Sequence, residues 1–254
     1  MRLFDMGGRT ALVTGSTRGI GRAIAEAMAE AGARVVVSSR TQAECDAVAA
    51  GIVAAGGQAA GIAADIGRDD EIEALADGAE AAFGQVDVLV CNAAASPYYG
   101  PFLDAPDHAF DKAIRVNVRA NMRLCRRLVP GMRARRDGAV VVISSIAAFK
   151  GSDDLGLYAL TKAADVQLVR NLAVACGPDN VRANGIAPAL VRTDFARVLW
   201  EDETRAKRVA DSYALRRLGE PDDVAGIAVM LAAPAGAWMT GQTLIVDGGW
   251  SVQD

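Results

Sequence analysis

A chain of 254 residues, 52% hydrophobic and 23% charged, is long enough to bury about three quarters of its unfolded surface around one core. Its net charge of -4 and isoelectric point near 5.2, with arginines scattered along the chain, argue against a nucleic-acid partner. Four separated cysteines, a single histidine (His108, at what reads as a helix start), no apolar run of roughly 18 residues and no charged-then-apolar leader point away from a disulfide framework, a His-based triad, a metal centre and a membrane span, so a soluble, cytoplasmic, metal-free protein is expected.

Residues 10–14 form a β-favouring apolar run ending in Gly15, and an Ala-rich helical pattern runs from Gly21 through Ile24 and Met28 to Gly32. The alternation repeats. Strands are expected at 34–39, 59–64, 86–91, 139–144, 181–187 and 244–246, with helices at 41–55, 68–83, 106–132 and 155–176. Strands as continuously apolar as 139–143 require a sheet covered on both faces. Strands joined by helices in this way give a doubly wound parallel sheet, Rossmann-like, of about seven strands with helices on both faces, in one α/β domain over 1–254. Such sheets bind ligands beyond the carboxyl ends of their strands.

After the first strand comes Gly15-Ser16-Thr17-Arg18-Gly19-Ile20-Gly21. Its glycines allow a tight turn and close approach of backbone N–H groups to a pyrophosphate, although the spacing is neither the common dinucleotide fingerprint nor a P-loop. After the second strand, where an acid would select NAD, stand Ser39 and Arg40. With Arg18, Arg40 suits a 2′-phosphate, which favours NADP(H) over NAD(H) and leaves NAD(H) as the alternative. Asp65, after the third strand, either accepts from an adenine amino group or caps a turn. After the fourth strand, Asn92-Ala93-Ala94 are small enough to let a cofactor lie against backbone. Asn117 falls on the apolar stripe marked by Phe110, Ile114, Leu124 and Leu128, so it is either a satisfied core amide or a functional one.

Tyr158 and Lys162 lie four apart in an expected helix and so share one face. An adjacent cation favours the phenolate, which makes the pair a plausible general acid/base, with Ser145 as a second hydroxyl. Tyr98, Tyr99, Phe149 and Trp200 are either pocket-lining or packing aromatics, and Trp250 is a candidate for a subunit contact.

In order and spacing, Thr14-Gly15-x-x-x-Gly19-Ile20-Gly21, Asn92-Ala93, Asn117, Ser145, Tyr158-x-x-x-Lys162, Pro188 with Thr193, and Asp247-Gly248-Gly249 resemble the short-chain dehydrogenase/reductase family over essentially the whole chain. The likeness is greatest to its NADP(H)-dependent carbonyl and 3-oxoacyl reductase branches. The resemblance implies hydride transfer between NADP(H) and a small carbonyl or secondary alcohol substrate. Tyr158 would be the general acid/base, Ser145 would hold the substrate oxygen, Lys162 would bind the nicotinamide ribose and depress the Tyr158 pKa, and Asn117 would position a water linking Lys162 to solvent. Cofactor contacts would come from Gly15, Thr17, Arg18, Gly19, Ile20, Gly21, Ser39, Arg40, Asp65, Ile66, Asn92, Ala93, Ala94, Tyr158, Lys162, Pro188, Val191 and Thr193. A lid over 193–219 and a homotetramer are further implications, with no metal. Cys91, Ala94 and Ala189 depart from the residues usual in the family at those places. The alternatives are an NAD-dependent alcohol dehydrogenase of the same family and a non-catalytic nucleotide sensor.

Overall fold

The apolar runs become strands. In the computed structural model, which describes residues 2–252, these are β1 (Thr10–Thr14), β2 (Arg34–Ser39), β3 (Gln58–Ala63), β4 (Val88–Cys91), β5 (Gly138–Ile143), β6 (Val181–Pro188) and β7 (Thr243–Val246). They form one seven-stranded sheet in the order β3-β2-β1-β4-β5-β6-β7, with every neighbouring pair parallel. The helices between them are α1 (Gly19–Glu30), α2 (Gln42–Ala54), α3 (Asp69–Phe83), α4 (Asp107–Ala113), α5 (Ala120–Arg135), α6 (Gly156–Cys176), α7 (Arg197–Trp200), α8 (Glu203–Asp211) and α9 (Pro221–Ala232).

Successive side chains of a strand point to opposite faces, and both faces here are covered. Ala11 and Val13 of β1 pack with Val35, Val37, Val88, Val90 and Val141 beneath α1, α2 and α9. Leu12, Val36, Leu89, Val140 and Val142 pack beneath α3, α5 and α6. This two-sided burial is the reason the strands read as unbroken apolar runs. The chain winds outward from β1 to β3, then returns to β4 on the other side of β1, so the order reverses between β1 and β4. That reversal opens a crevice at the carboxyl ends of the strands.

The single helix expected over 106–132 is three pieces. Between α4 and α5, Ile114–Arg119 runs as a π-helix. The extra residue per turn shifts the phase of the apolar stripe. Phe110, expected on that stripe, is 45% exposed, whereas Asn117 at the centre of the π segment is fully buried. No helix of the described residues is long and apolar enough to cross a membrane.

Candidate active site

The glycine turn is stitched to both neighbouring strands. Ser16 donates its backbone N–H to the Ser38 carbonyl at 3.0 Å, and its hydroxyl accepts the Ser38 N–H at 2.9 Å. On the other side the Asn92 amide donates to the carbonyls of Thr14 at 2.9 Å and Gly15 at 3.0 Å. Asn92 therefore works chiefly behind the turn, holding it in shape. Gly15 has φ +64, and a Cβ there would lie 2.9 Å from Ala93 Cα; one at Gly21 would drive into the Asn92 amide and the Gly15 carbonyl. No side chain caps the start of α1, so its first N–H groups stay available to an anion.

A cleft of about 1110 Å³ runs from this turn across the strand ends. It is lined by Gly15, Thr17, Arg18, Gly19, Ile20 and Gly21, by Ser39 and Arg40, by Asp65 and Ile66, by Asn92, Ala93 and Ala94, by Ser145, Tyr158 and Lys162, and by Pro188, Val191 and Thr193. Its length, its close-packed glycine floor and its helix N-terminus fit a dinucleotide. The guanidinium groups of Arg18 and Arg40 carry no ion pair among the described residues, while Glu44, 3.4 Å from the Thr17 hydroxyl, adds one carboxylate to the same rim. Asp65 does cap a turn: one carboxylate oxygen accepts the Gly67 N–H at 2.9 Å.

Asn117 alone among the candidates does not line the cleft. Its amide is fully engaged, accepting from Ala95 N–H at 2.7 Å and donating to the Ala95 carbonyl at 2.8 Å and the Thr161 hydroxyl at 3.0 Å. It clamps the loop after β4 to α6, and among the described residues no hydrogen bond joins its side chain to Lys162. Its carbonyl, in turn, accepts from the Asn121 amide at 2.7 Å.

At the start of α6 the Tyr158 phenol is half-buried beside the cleft, with the Lys162 ammonium 5.6 Å from its ring centroid. Two of the three N–H bonds of Lys162 are spoken for, by the Ile143 carbonyl at 2.8 Å and by Asp165 at 2.9 Å. Asp165, 1% exposed, also accepts from the Asn121 amide at 3.0 Å. The Ser144 hydroxyl donates to the Lys162 carbonyl at 2.8 Å and ties α6 to the end of β5, leaving Ser145 to face Tyr158. Burial pushes the Tyr158 pKa above the ordinary phenol value; Lys162 and the Ser145 hydroxyl oppose the rise and Asp165 adds to it. The expected depression by Lys162 is thus present but outweighed. For Lys162, burial pulls downward, and Asp165 and the phenol more than reverse it, so the ammonium stays charged.

Sequence reasoning missed Asp165. The signal was available: Leu157, Lys162, Asp165 and Val169 lie on the buried face of α6, and a carboxylate on an otherwise apolar stripe needs a buried partner.

Of the four aromatics, Tyr99 lines the cleft. Tyr98 packs with Ala109, Ala113 and Leu157, Phe149 is exposed, and the Trp200 indole donates to the Thr193 carbonyl at 3.0 Å. Phe195 lies 6.0 Å from the Tyr158 ring, centroid to centroid, and Trp250 receives the Lys150 ammonium on its face at 3.6 Å. The segment 193–219, which contains α7 and α8, leaves and returns at one point, a parallel bridge between Val191 and Gly219.

Residues 15–251 match the family model described as Enoyl-(Acyl carrier protein) reductase. "Dehydrogenase/reductase SDR family member 4" of Bos taurus is 41% identical over 241 residues, covering 95% of this chain and 86% of the relative. The chain belongs to the short-chain dehydrogenase/reductase family. Two solved structures carry the family likeness to the backbone fold. A gluconate 5-dehydrogenase of Burkholderia cenocepacia in complex with NADP and tartrate superimposes with TM-score 0.95 at 30% identity, over 100% of this chain and 99% of the other. A 7α-hydroxysteroid dehydrogenase complexed with NADH and 7-oxo glycochenodeoxycholic acid gives 0.93 at 38% identity, over 98% and 96%. As a short-chain dehydrogenase/reductase the protein is a nucleotide-dependent oxidoreductase.

Proposed function

We propose that the protein reduces the carbonyl group of a small molecule, and oxidises the corresponding secondary alcohol, with NADP(H) held along the cleft. When bound, the nicotinamide supplies the hydride in reduction and accepts it in oxidation. The glycine turn and the α1 N-terminus would hold the pyrophosphate, Arg18 and Arg40 the 2′-phosphate, Asp65 and Ile66 the adenine, and Lys162 the nicotinamide ribose. Pro188, Val191 and Thr193 would hold the carboxamide end. Ser145 donates a hydrogen bond to the substrate oxygen, and Tyr158 delivers a proton to that oxygen as negative charge develops on it. Carbonyl, hydride and proton together make the alcohol. Tyr158 then recovers its proton from solvent.

The observation that carries this reading is the convergence of the Ser145 hydroxyl, the Tyr158 phenol and a buried ammonium at the mouth of the glycine-turn cleft. Burial keeps the phenol in its acid form at neutral pH, the form that reduction requires. A nucleotide sensor has no use for such a cluster. Asn117 acts as the clamp that keeps the loop after β4 against α6. The segment 193–219 serves as a lid hinged at the Val191–Gly219 bridge, with Phe195 brought against Tyr158. A homotetramer belongs to the same reading.

Glu44 on the rim gives the NAD(H) alternative its one specific support. Incubating the protein with NADPH or NADH and a panel of 1,2-diketones, aryl ketones and 3-oxoacyl thioesters, and following absorbance of the reduced cofactor, tests both. Consumption of NADPH is expected. Binding of nucleotide without turnover of any carbonyl would instead favour the sensor.

A further inference from the structure

Lys162 does not stand alone beneath Tyr158. Its ammonium is held between the Ile143 carbonyl at the end of β5 and the Asp165 carboxylate, at 2.8 and 2.9 Å, and both charged side chains are almost wholly buried. Asp165 is fixed from its other oxygen by Asn121, at 3.0 Å, and Asn121 is in turn fixed by the carbonyl of Asn117 in the π segment, at 2.7 Å. The chain of contacts therefore runs from the π segment through Asn121 and Asp165 to the lysine.

We propose that Asp165 is a positioning residue for the Tyr158–Lys162 pair: its buried carboxylate anchors the ammonium and limits how strongly that positive charge acts on the phenol. The proposal rests on the reading of Tyr158 as the proton donor. A lone buried ammonium would either lose its proton or pull hard on the neighbouring phenol. Paired with Asp165 it does neither, and Tyr158 keeps its proton until a carbonyl oxygen demands it. The titratable groups around the cluster are Tyr158, Lys162 and Asp165 on α6, Cys91 at the end of β4 and Cys125 on α5. Cys91 is a neutral thiol, because its hydrogen bond to Cys125 and its burial hold its pKa well above the usual thiol value. The negative charge facing Tyr158 and Lys162 is therefore that of Asp165.

The Ile143 carbonyl still holds the ammonium once the Asp165 charge is gone, so the positive charge then acts on Tyr158 unopposed and lowers the pH at which the phenol gives up its proton. The experiment is an ultraviolet difference titration of tyrosinate on the cofactor-free protein, with the Tyr158→Phe variant subtracted as background. Asp165→Asn is expected to move the Tyr158 midpoint about one pH unit toward acid, and Asp165→Glu, which keeps the charge, to restore it toward the original. The alkaline-rising limb of kcat/KM for alcohol oxidation should move in the same direction. If Asp165→Asn does not fold, Asp165→Ser, smaller and uncharged, carries the same expectation. An unmoved midpoint in the folded variant, with activity merely scaled down at every pH, would overturn the proposal. Because the titration needs neither cofactor nor substrate, its outcome is separate from that of the proposed activity. Survival of turnover in Tyr158→Phe would sink the assignment of the proton donor and leave the electrostatic result standing.

Discussion

The Lys162 ammonium lies 5.6 Å from the centroid of the Tyr158 ring, one turn along α6, and both side chains line the cleft that begins at the glycine turn. Replacing the phenol by phenyl removes the proposed proton donor and leaves ring packing against Phe195 intact. Tyr158→Phe should therefore lower kcat by about 10²–10⁴-fold, the usual worth of a positioned acid. NADPH affinity, read by fluorescence titration, should change little. Turnover near the original rate would mean that another group supplies the proton.

Among the described residues Arg18 and Arg40 form no ion pair where they line the glycine-turn end of the cleft, the end proposed to take the 2′-phosphate. A partly solvated, charge-assisted contact is worth on the order of tenfold in affinity. Arg40→Ala and Arg18→Ala should each weaken NADPH binding by about that factor without affecting NADH. Equal losses for both nucleotides would show that the arginines serve the turn and not a 2′-phosphate.

The inner strands β1, β2, β4 and β5 were legible because two-sided burial writes itself as continuous apolar runs, and β1 and β2 occupy the residues that pattern marks. The glycine turn was legible for a related reason: Gly15 and Gly21 stand where backbone, Asn92 and Ala93 leave no room for a Cβ. Asn117 was visible as a polar residue on an apolar stripe, but the π segment that seats it was not, since hydrophobic spacing alone does not register one extra residue in a turn. Reading Tyr158 with Lys162 in isolation gave only the lysine's downward pull on the phenol; burial, a tertiary fact, outweighs it, and Asp165, three residues beyond Lys162 on the same helix, adds to the rise.

The Asn117 side chain makes three hydrogen bonds, two of them to the backbone of Ala95. Asn117→Ala would leave the Ala95 N–H and carbonyl without these partners inside the protein. A loss of about 2–3 kcal/mol in unfolding free energy is expected from denaturant titration. Hydrogen exchange should rise in the loop after β4 ahead of the rest of the sheet. Uniform exchange across the sheet would show that Asn117 acts on the fold as a whole and not on that loop.

The first turn of α9 carries a carboxylate that reports on acid stability. Arg217 donates to both oxygens of Asp223, at 2.5 and 2.8 Å, and the Glu220 N–H donates to one of them at 2.8 Å. The Arg217 hydrogen bonds, followed by the Glu220 N–H, hold the Asp223 pKa down to about 2. A carboxylate depressed in the folded state binds fewer protons there than in the unfolded chain, whose Asp residues titrate near 3.9. Its stabilisation is present in full above about pH 4 and drains away as the pH falls toward about 2. Because Arg217 is half exposed, solvent screening reduces the full linkage value to about 1 kcal/mol. Asp223→Asn should therefore be less stable than the parent by about that amount at neutral pH, with the difference closing between pH 4 and 2 in urea titrations run across that range. A gap that stayed constant as the solution was acidified would trace the effect to the geometry of the helix start and not to the charge.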